Sequence, residues 1–141
     1  MNINDQRDPL GPSALIVALY GRLAGGDVAG LLEGLDRDIE WVVPDGLHYG
    51  GVYRGRESVL ANVFARFETE WVGFAVQPDE IFEAGEVVIA LGHYRAASRV
   101  TGRPMTSRFA HVWRLRDGVP VRFETILDTH AMVRTTAVEH S

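Results

Sequence analysis

The sequence predicts an α+β fold, with helices gathered on the concave face of a strongly bent antiparallel sheet. Three observations predict it. Apolar residues in the first half recur mainly at helical spacing, and after Trp71 the period changes to two. Turn signals at Ala84-Gly85, Thr101-Gly102-Arg103-Pro104 and Asp117-Gly118 cut that second half into lengths suited to hairpins. A length of 141 residues makes one domain, long enough to bury a core.

Each element has its own signature. Residues 1–12 (MNINDQRDPLGP) are polar with two prolines and read as a flexible N-terminal arm, leaving 13–138 as the domain. Ser13 is placed to cap a helix whose apolar face is Ile16, Leu19, Tyr20 and Leu23, ended by Gly25-Gly26. Asp27 is placed to cap a second, short helix carrying Val28, Leu31, Leu32 and Leu35. Ile39–Val43 alternates as a strand and stops at Pro44, and the glycine-rich, aromatic stretch Asp45–Tyr53 is a loop or a short irregular strand. Val59, Leu60, Val63, Phe64 and Phe67 give Glu57–Phe67 helical spacing. Strands follow at about 73–83, 86–99, 105–116 and 119–128, and Thr129–Val138 closes the chain as a short helix. Two or three helices on such a sheet leave a cone with an apolar interior, a good place for a ligand.

Composition narrows the chemistry. The absence of cysteine removes disulfides, thiolate nucleophiles and cysteine-bound metals. All 14 basic residues are arginine, so lysine Schiff bases and Walker-type phosphate loops are excluded. A net charge of −5 argues against nucleic-acid binding. It is unevenly spread, however, with seven arginines and a single acid between Arg95 and Arg122. Those arginines suit the solvated outer face of a sheet or the margin of a subunit interface, and an anion site is the sharper reading. No secretory signal or membrane span stands out, which makes a cytoplasmic protein the expectation.

The chemistry-bearing residues lie in the last third. Alternation along 105–116 puts Phe109, His111, Trp113 and Leu115 on one apolar face, so His111 points inward. An imidazole there, titrating near neutrality, could donate, accept or orient a carbonyl. The next strand ends at Asp128, whose carboxylate either enters the cone for acid–base work or caps the final helix. One bulge would exchange the directions of Leu127 and Asp128. Trp41, Tyr53, Phe64, Phe67 and Tyr94 are candidates for the wall, with Phe109 and Trp113 beside His111. No Gly-x-Ser-x-Gly, His-Glu-x-x-His or strand-following Gly-x-Gly-x-x-Gly is present, and the histidines have no metal-ligand spacing. No cofactor and no metal are expected.

Asp27–Trp41 (DVAGLLEGLDRDIEW), Tyr53–Glu57 (YRGRE), Ala84–Val88 (AGEVV), Phe109–Trp113 (FAHVW), Arg116–Gly118 (RDG) and Arg122–Thr129 (RFETILDT) occur in an order and spacing that resemble the SnoaL-like branch of the NTF2-like, ketosteroid-isomerase-like superfamily. The resemblance covers roughly residues 13–135. It implies a cone-shaped pocket for a small hydrophobic ligand and a homodimer through the outer sheet face. The implied chemistry is isomerase, cyclase or dehydratase work next to a carbonyl. In SnoaL-like cyclases the aspartate ending the last strand is the general acid/base, and Asp128 matches that position, with His111 as its partner. Asp45 and His48 would lie near the pocket mouth. The chain departs from ketosteroid isomerase, which needs a base near the end of the first strand and a buried tyrosine–aspartic acid pair. It also carries only part of an epoxide-hydrolase Asp–Arg–Asp set, in Arg95 or Arg99 with Asp128. The same superfamily holds non-catalytic binding and dimerisation modules, which is the rival reading. A third reading sets the arginine face against an acidic protein.

Overall fold

The computed structural model describes residues 11–137. Helix α1 (Pro12–Ala24) and helix α2 (Val28–Glu33) precede strands β1 (Glu40–Val43) and β2 (Gly51–Arg54). Helix α3 follows in three joined parts: α-helix over Arg56–Val59, a π-turn over Leu60–Phe64, and α-helix again over Ala65–Thr69. Strands β3 (Trp71–Ala84), β4 (Val87–Ser98), β5 (Pro104–Arg116) and β6 (Val119–Leu127) form the meander, and α4 (Thr129–Thr136) ends the described chain. Val138, given to the last helix by its sequence, and residues 1–10 of the expected arm lie outside the described residues.

The first helix starts earlier than its sequence suggested. Gly11 takes the N-cap position and Pro12 the first turn, where its missing N–H and fixed φ cost nothing. Ser13 is therefore inside the helix and is not its cap. Asp27 does cap α2, its carboxylate accepting from Gly30 N. The turn between β5 and β6 has positive φ at both Asp117 (52°) and Gly118 (78°), the twist a two-residue hairpin requires.

The six strands make one sheet in the order β2-β1-β6-β5-β4-β3. It is not wholly antiparallel. β1 lies parallel to β6, with Trp41 opposite Phe123, while β2 pairs antiparallel with β1. A strand that returns after helical segments can enter beside β6 in either direction, which local periodicity does not encode. Proline is tolerated in β3 because β3 is an edge strand. The register slips beside it, between Pro78 and Glu80. There the backbones crowd: a Cβ on Gly92 would lie 2.1 Å from the Gln77 carbonyl oxygen and 2.7 Å from the Phe109 ring. Glycine and the bulge together let the sheet bend at this point.

α1, α2 and α3 close the concave side. Ile16 and Leu19 of α1, Leu31 of α2 and Val59 and Val63 of α3 are buried with Trp41, Trp71, Trp113 and Phe123 in one core. Each such side chain contributes about 1.5–3 kcal/mol of transfer free energy. The π-turn corrects one expectation. It widens the helix so that Val59, Val63 and Phe64 are buried together, while Leu60 is turned outward and left 45% exposed. No helix among the described residues is long and apolar enough to cross a membrane.

Candidate functional site

β5 alternates as its sequence requires: Met105, Ser107, Phe109, His111, Trp113 and Leu115 are buried, and the residues between them are not. His111 is thereby set deep in the cone, 3% exposed. Its ring stacks on Phe109 two residues away, with centroids 3.8 Å apart. Both ring nitrogens are occupied. Nδ1 lies 2.6 Å from the hydroxyl of Tyr20, supplied by the inward face of α1. Nε2 lies 2.5 Å from the hydroxyl of Tyr94, supplied by β4. The chain of contacts extends at both ends. Trp113 Nε1 donates to the Tyr20 hydroxyl at 3.0 Å, and the Tyr94 hydroxyl lies 3.1 Å from Oγ1 of Thr125. Thr125 faces His111 across the β5–β6 ladder, so strand register alone puts it there.

These groups line a cavity of about 50 Å³. That is several times the ~10–15 Å³ needed for one water, so a few waters fit, while a ring, which needs about 150 Å³, enters only when the wall gives. Leu19, Trp41, Phe64, Phe74, Phe123 and Met132 supply apolar wall, and among the described residues no Asp, Glu or Arg lines it. The absence of charge governs the electrostatics. Burial pushes His111 well below the ordinary histidine range, so the imidazole is neutral across physiological pH and does not titrate near neutrality as its type suggested. Burial likewise holds Tyr20 and Tyr94 protonated far above the usual phenol range. Every link is therefore a neutral hydrogen bond in a low-dielectric interior, where each link is strong and an unmade one is costly. Among the described residues no cluster of three or more His, Cys, Asp or Glu could hold a metal ion.

Leu47 and Tyr49 of the β1–β2 loop join the lining. The loop is tied down by His48 Nε2 at 2.9 Å from Glu70 Oε1, and Arg66 holds the other carboxylate oxygen at 2.6 Å. Arg66 also sits over the Tyr49 ring, 4.7 Å from its centroid. Burial, with Glu70 nearby, pushes the Tyr49 phenol up to about 12.

Residues 16–123 match the family model for the SnoaL-like domain. The chain belongs to the SnoaL-like domain family. Solved structures agree in fold. An NTF2-like protein from Burkholderia thailandensis is 32% identical with a TM-score of 0.84, over 88% of this chain and 95% of its own. An NTF2-like protein from Burkholderia pseudomallei is 32% identical with a TM-score of 0.83, over 90% and 98%. TerC, co-crystallised with polyporic acid, is 31% identical with a TM-score of 0.80, over 88% and 96%. No curated protein matches the chain.

This SnoaL-like domain brings together only some of the residues its sequence nominated. Trp41, Phe64, Phe67, Tyr94, His111 and Trp113 line the cavity. Phe109 lies behind His111 as its stacking partner. Tyr53 is half-buried, and its hydroxyl is spent on the Tyr49 carbonyl at 2.5 Å. Asp45 is exposed in the β1–β2 loop and does not line the cavity. Asp128 is exposed, and its carboxylate accepts from Ala131 N at 3.0 Å as the cap of α4. It does not line the cavity and does not meet His111. The physical reason is local: β6 ends at Leu127, and the first free amides of α4 are the donors nearest the carboxylate. Tyr20 and Thr125 were not nominated. Tyr20 could have been found as the single polar head on the apolar face of α1, and Thr125 by carrying the inward parity of Phe123 two residues on.

Proposed function

We propose that this protein takes a small carbonyl compound into the cone and moves protons next to the carbonyl, as an isomerase, cyclase or dehydratase does. One observation carries the reading: a neutral imidazole held between two tyrosine hydroxyls over an uncharged, apolar cavity. A hydroxyl at one end of the chain accepts a proton from the substrate, and the hydroxyl at the other end returns one to the carbonyl oxygen. His111 meanwhile exchanges its N–H between Nδ1 and Nε2. The substrate loses one proton and gains another, each link of the chain passes one proton on, and no ion forms in a site that disfavours ions. Tyr20, Tyr94 and Thr125 touch the substrate, His111 relays between them, and Trp41, Phe64 and Phe67 hold its apolar body. Asp128 serves as a helix cap. TerC, a relative of similar fold, was co-crystallised with polyporic acid, which supports a small-molecule ligand for the cone.

The test is deuterium exchange from D2O into cyclohexanone and 2-cyclohexenone, followed by NMR. His111→Gln should slow the enzyme-dependent exchange at least about 100-fold, and Asp128→Asn should leave it unchanged. Binding without exchange in the wild type would replace this reading with a non-catalytic ligand carrier, for which the absence of a lining carboxylate already speaks.

The outer sheet face supports a homodimer. Val52, Val42, Glu124, Val112, Ile89 and Phe82 fall in one row across β2, β1, β6, β5, β4 and β3, apolar except at Glu124, with Ile126 two residues on along β6. Val52, Phe82 and Ile126 are more than half exposed in the single chain. Sedimentation should give a dimer that Ile126→Glu dissociates, and a wild-type monomer would refute it.

A further inference from the structure

The polar chain inside the cone carries one more hydrogen than it can use. Trp113, Tyr20, Tyr94 and Thr125 each bring one donor hydrogen, and the neutral imidazole brings a fifth. Four contacts join these groups, each absorbing one hydrogen. One O–H is left without an acceptor in the protein. Trp113 can only donate, which fixes one terminus, and three arrangements remain. If Tyr20 donates to Nδ1, then Nε2–H donates to Tyr94, and either Tyr94 donates to Thr125, leaving the Thr125 hydrogen free, or Thr125 donates to Tyr94, leaving the Tyr94 hydrogen free. If Thr125 donates to Tyr94 and Tyr94 to Nε2, then Nδ1–H donates to Tyr20, and the Tyr20 hydrogen is free. Tyr20, Tyr94 and Thr125 all line the cavity, so the surplus hydrogen sits on a lining residue in every arrangement.

We infer that the site selects an uncharged ligand by an oxygen that accepts this mobile hydrogen, and that the end at which the oxygen docks sets the tautomer of His111. The inference rests on the same site as the proposed function but concerns recognition, not turnover. It names the ligand class as neutral ketones, quinones or ethers with an otherwise apolar body. Carboxylates and amines are rejected, because no lining group can neutralise either charge.

Two readouts test it without activity. In the wild type, isotope-edited infrared spectra of 13C=O cyclohexanone should show the bound carbonyl stretch below its value in hydrocarbon solvent. Cyclohexanone should also bind at least tenfold tighter than cyclohexanecarboxylate or cyclohexylammonium. An unshifted stretch, or either ion binding as tightly as the ketone, would overturn the inference. In 15N-labelled variants, Tyr94→Phe removes the partner of Nε2 and should lock His111 as the Nδ1–H tautomer. Tyr20→Phe should lock it as Nε2–H. The same tautomer in both, or an imidazolium in the wild type at pH 7, would also overturn it. The wild-type measurements stand even if a variant fails to fold. A shifted stretch with no deuterium exchange defeats the proposed function and keeps this inference. Exchange with an unshifted stretch does the reverse.

Discussion

The two faces of strand β5 share a backbone and little else. Inward, Phe109, His111 and Trp113 stand in an uncharged interior where polar groups have only each other as partners. Outward, Arg108, Arg114 and Arg116 are exposed to solvent. On the same outer face of the neighbouring strands, Arg122 lies 2.8 Å from Glu40 and 3.1 Å from Glu124. Charge is cheap on that side and screened, so its exact partners matter little. Inside, the loss of a single contact leaves a group with no water to replace it. The polar chain is therefore built on the face where geometry is most constrained, and the exposed charge is carried on the other.

The most direct way to break this comparison is to truncate neighbours of opposite parity. Trp113 is 2% exposed, packs edge-on against Trp41 and Tyr20, and donates to the Tyr20 hydroxyl. Trp113→Ala should cost about 3–5 kcal/mol of stability. Val112, half-buried on the outer face, should cost about 1 kcal/mol or less as Val112→Ala. Urea denaturation measures both, and equal losses would mean that the inner face is not the core.

How much of this was legible in the sequence follows from the range over which each feature is determined. Strand parity is local and strict, so the inward direction of His111 and the hairpin at Asp117-Gly118 could be read directly. The π-turn at Leu60–Phe64 was hidden because the same apolar residues satisfy an ordinary helix. The parallel pairing of β1 with β6 was hidden because it joins segments some eighty residues apart. Tyr20 was legible as an apolar-face residue but not as a partner of His111, 91 residues away, since only the packed helix aims its hydroxyl. Asp128 was legible as two things at once, a strand-end acid and a helix cap. Direction decides between them, and direction at a strand end depends on where the ladder stops.

pH sharpens the contrast between the faces. Folded His111 is held well below the ordinary value by burial, whereas in the unfolded chain it titrates near ~6.5. Below about 6.5 the unfolded chain takes up a proton that the folded chain refuses, so stability falls as pH drops, with a slope approaching about 1.4 kcal/mol per pH unit. Above that value His111 adds no pH dependence. Glu40 on the outer face behaves differently: the Arg122 hydrogen bond lowers its pKa, so its contribution is present above the ordinary carboxylate range and is lost only as pH falls through that lower value. Denaturation at pH 7.5 and 5.5 should show a drop in the wild type that His111→Gln removes. A drop of equal size in both would assign the effect to groups outside the cone.

The smallest effect belongs to the residue that the sequence made most prominent. If Asp128 only caps α4, its carboxylate is worth about 1 kcal/mol through the bond from Ala131 N. Asp128→Ala should lose about that much, and Asp128→Asn almost nothing, because asparagine caps a helix nearly as well. Neither change should move the deuterium-exchange rate, since the side chain is exposed and the cavity is lined without it. An inward carboxylate would give the opposite pattern: little loss of stability in Asp128→Ala, with exchange abolished in both variants. The pair of variants thus separates a strand end that feeds the pocket from one that merely starts a helix.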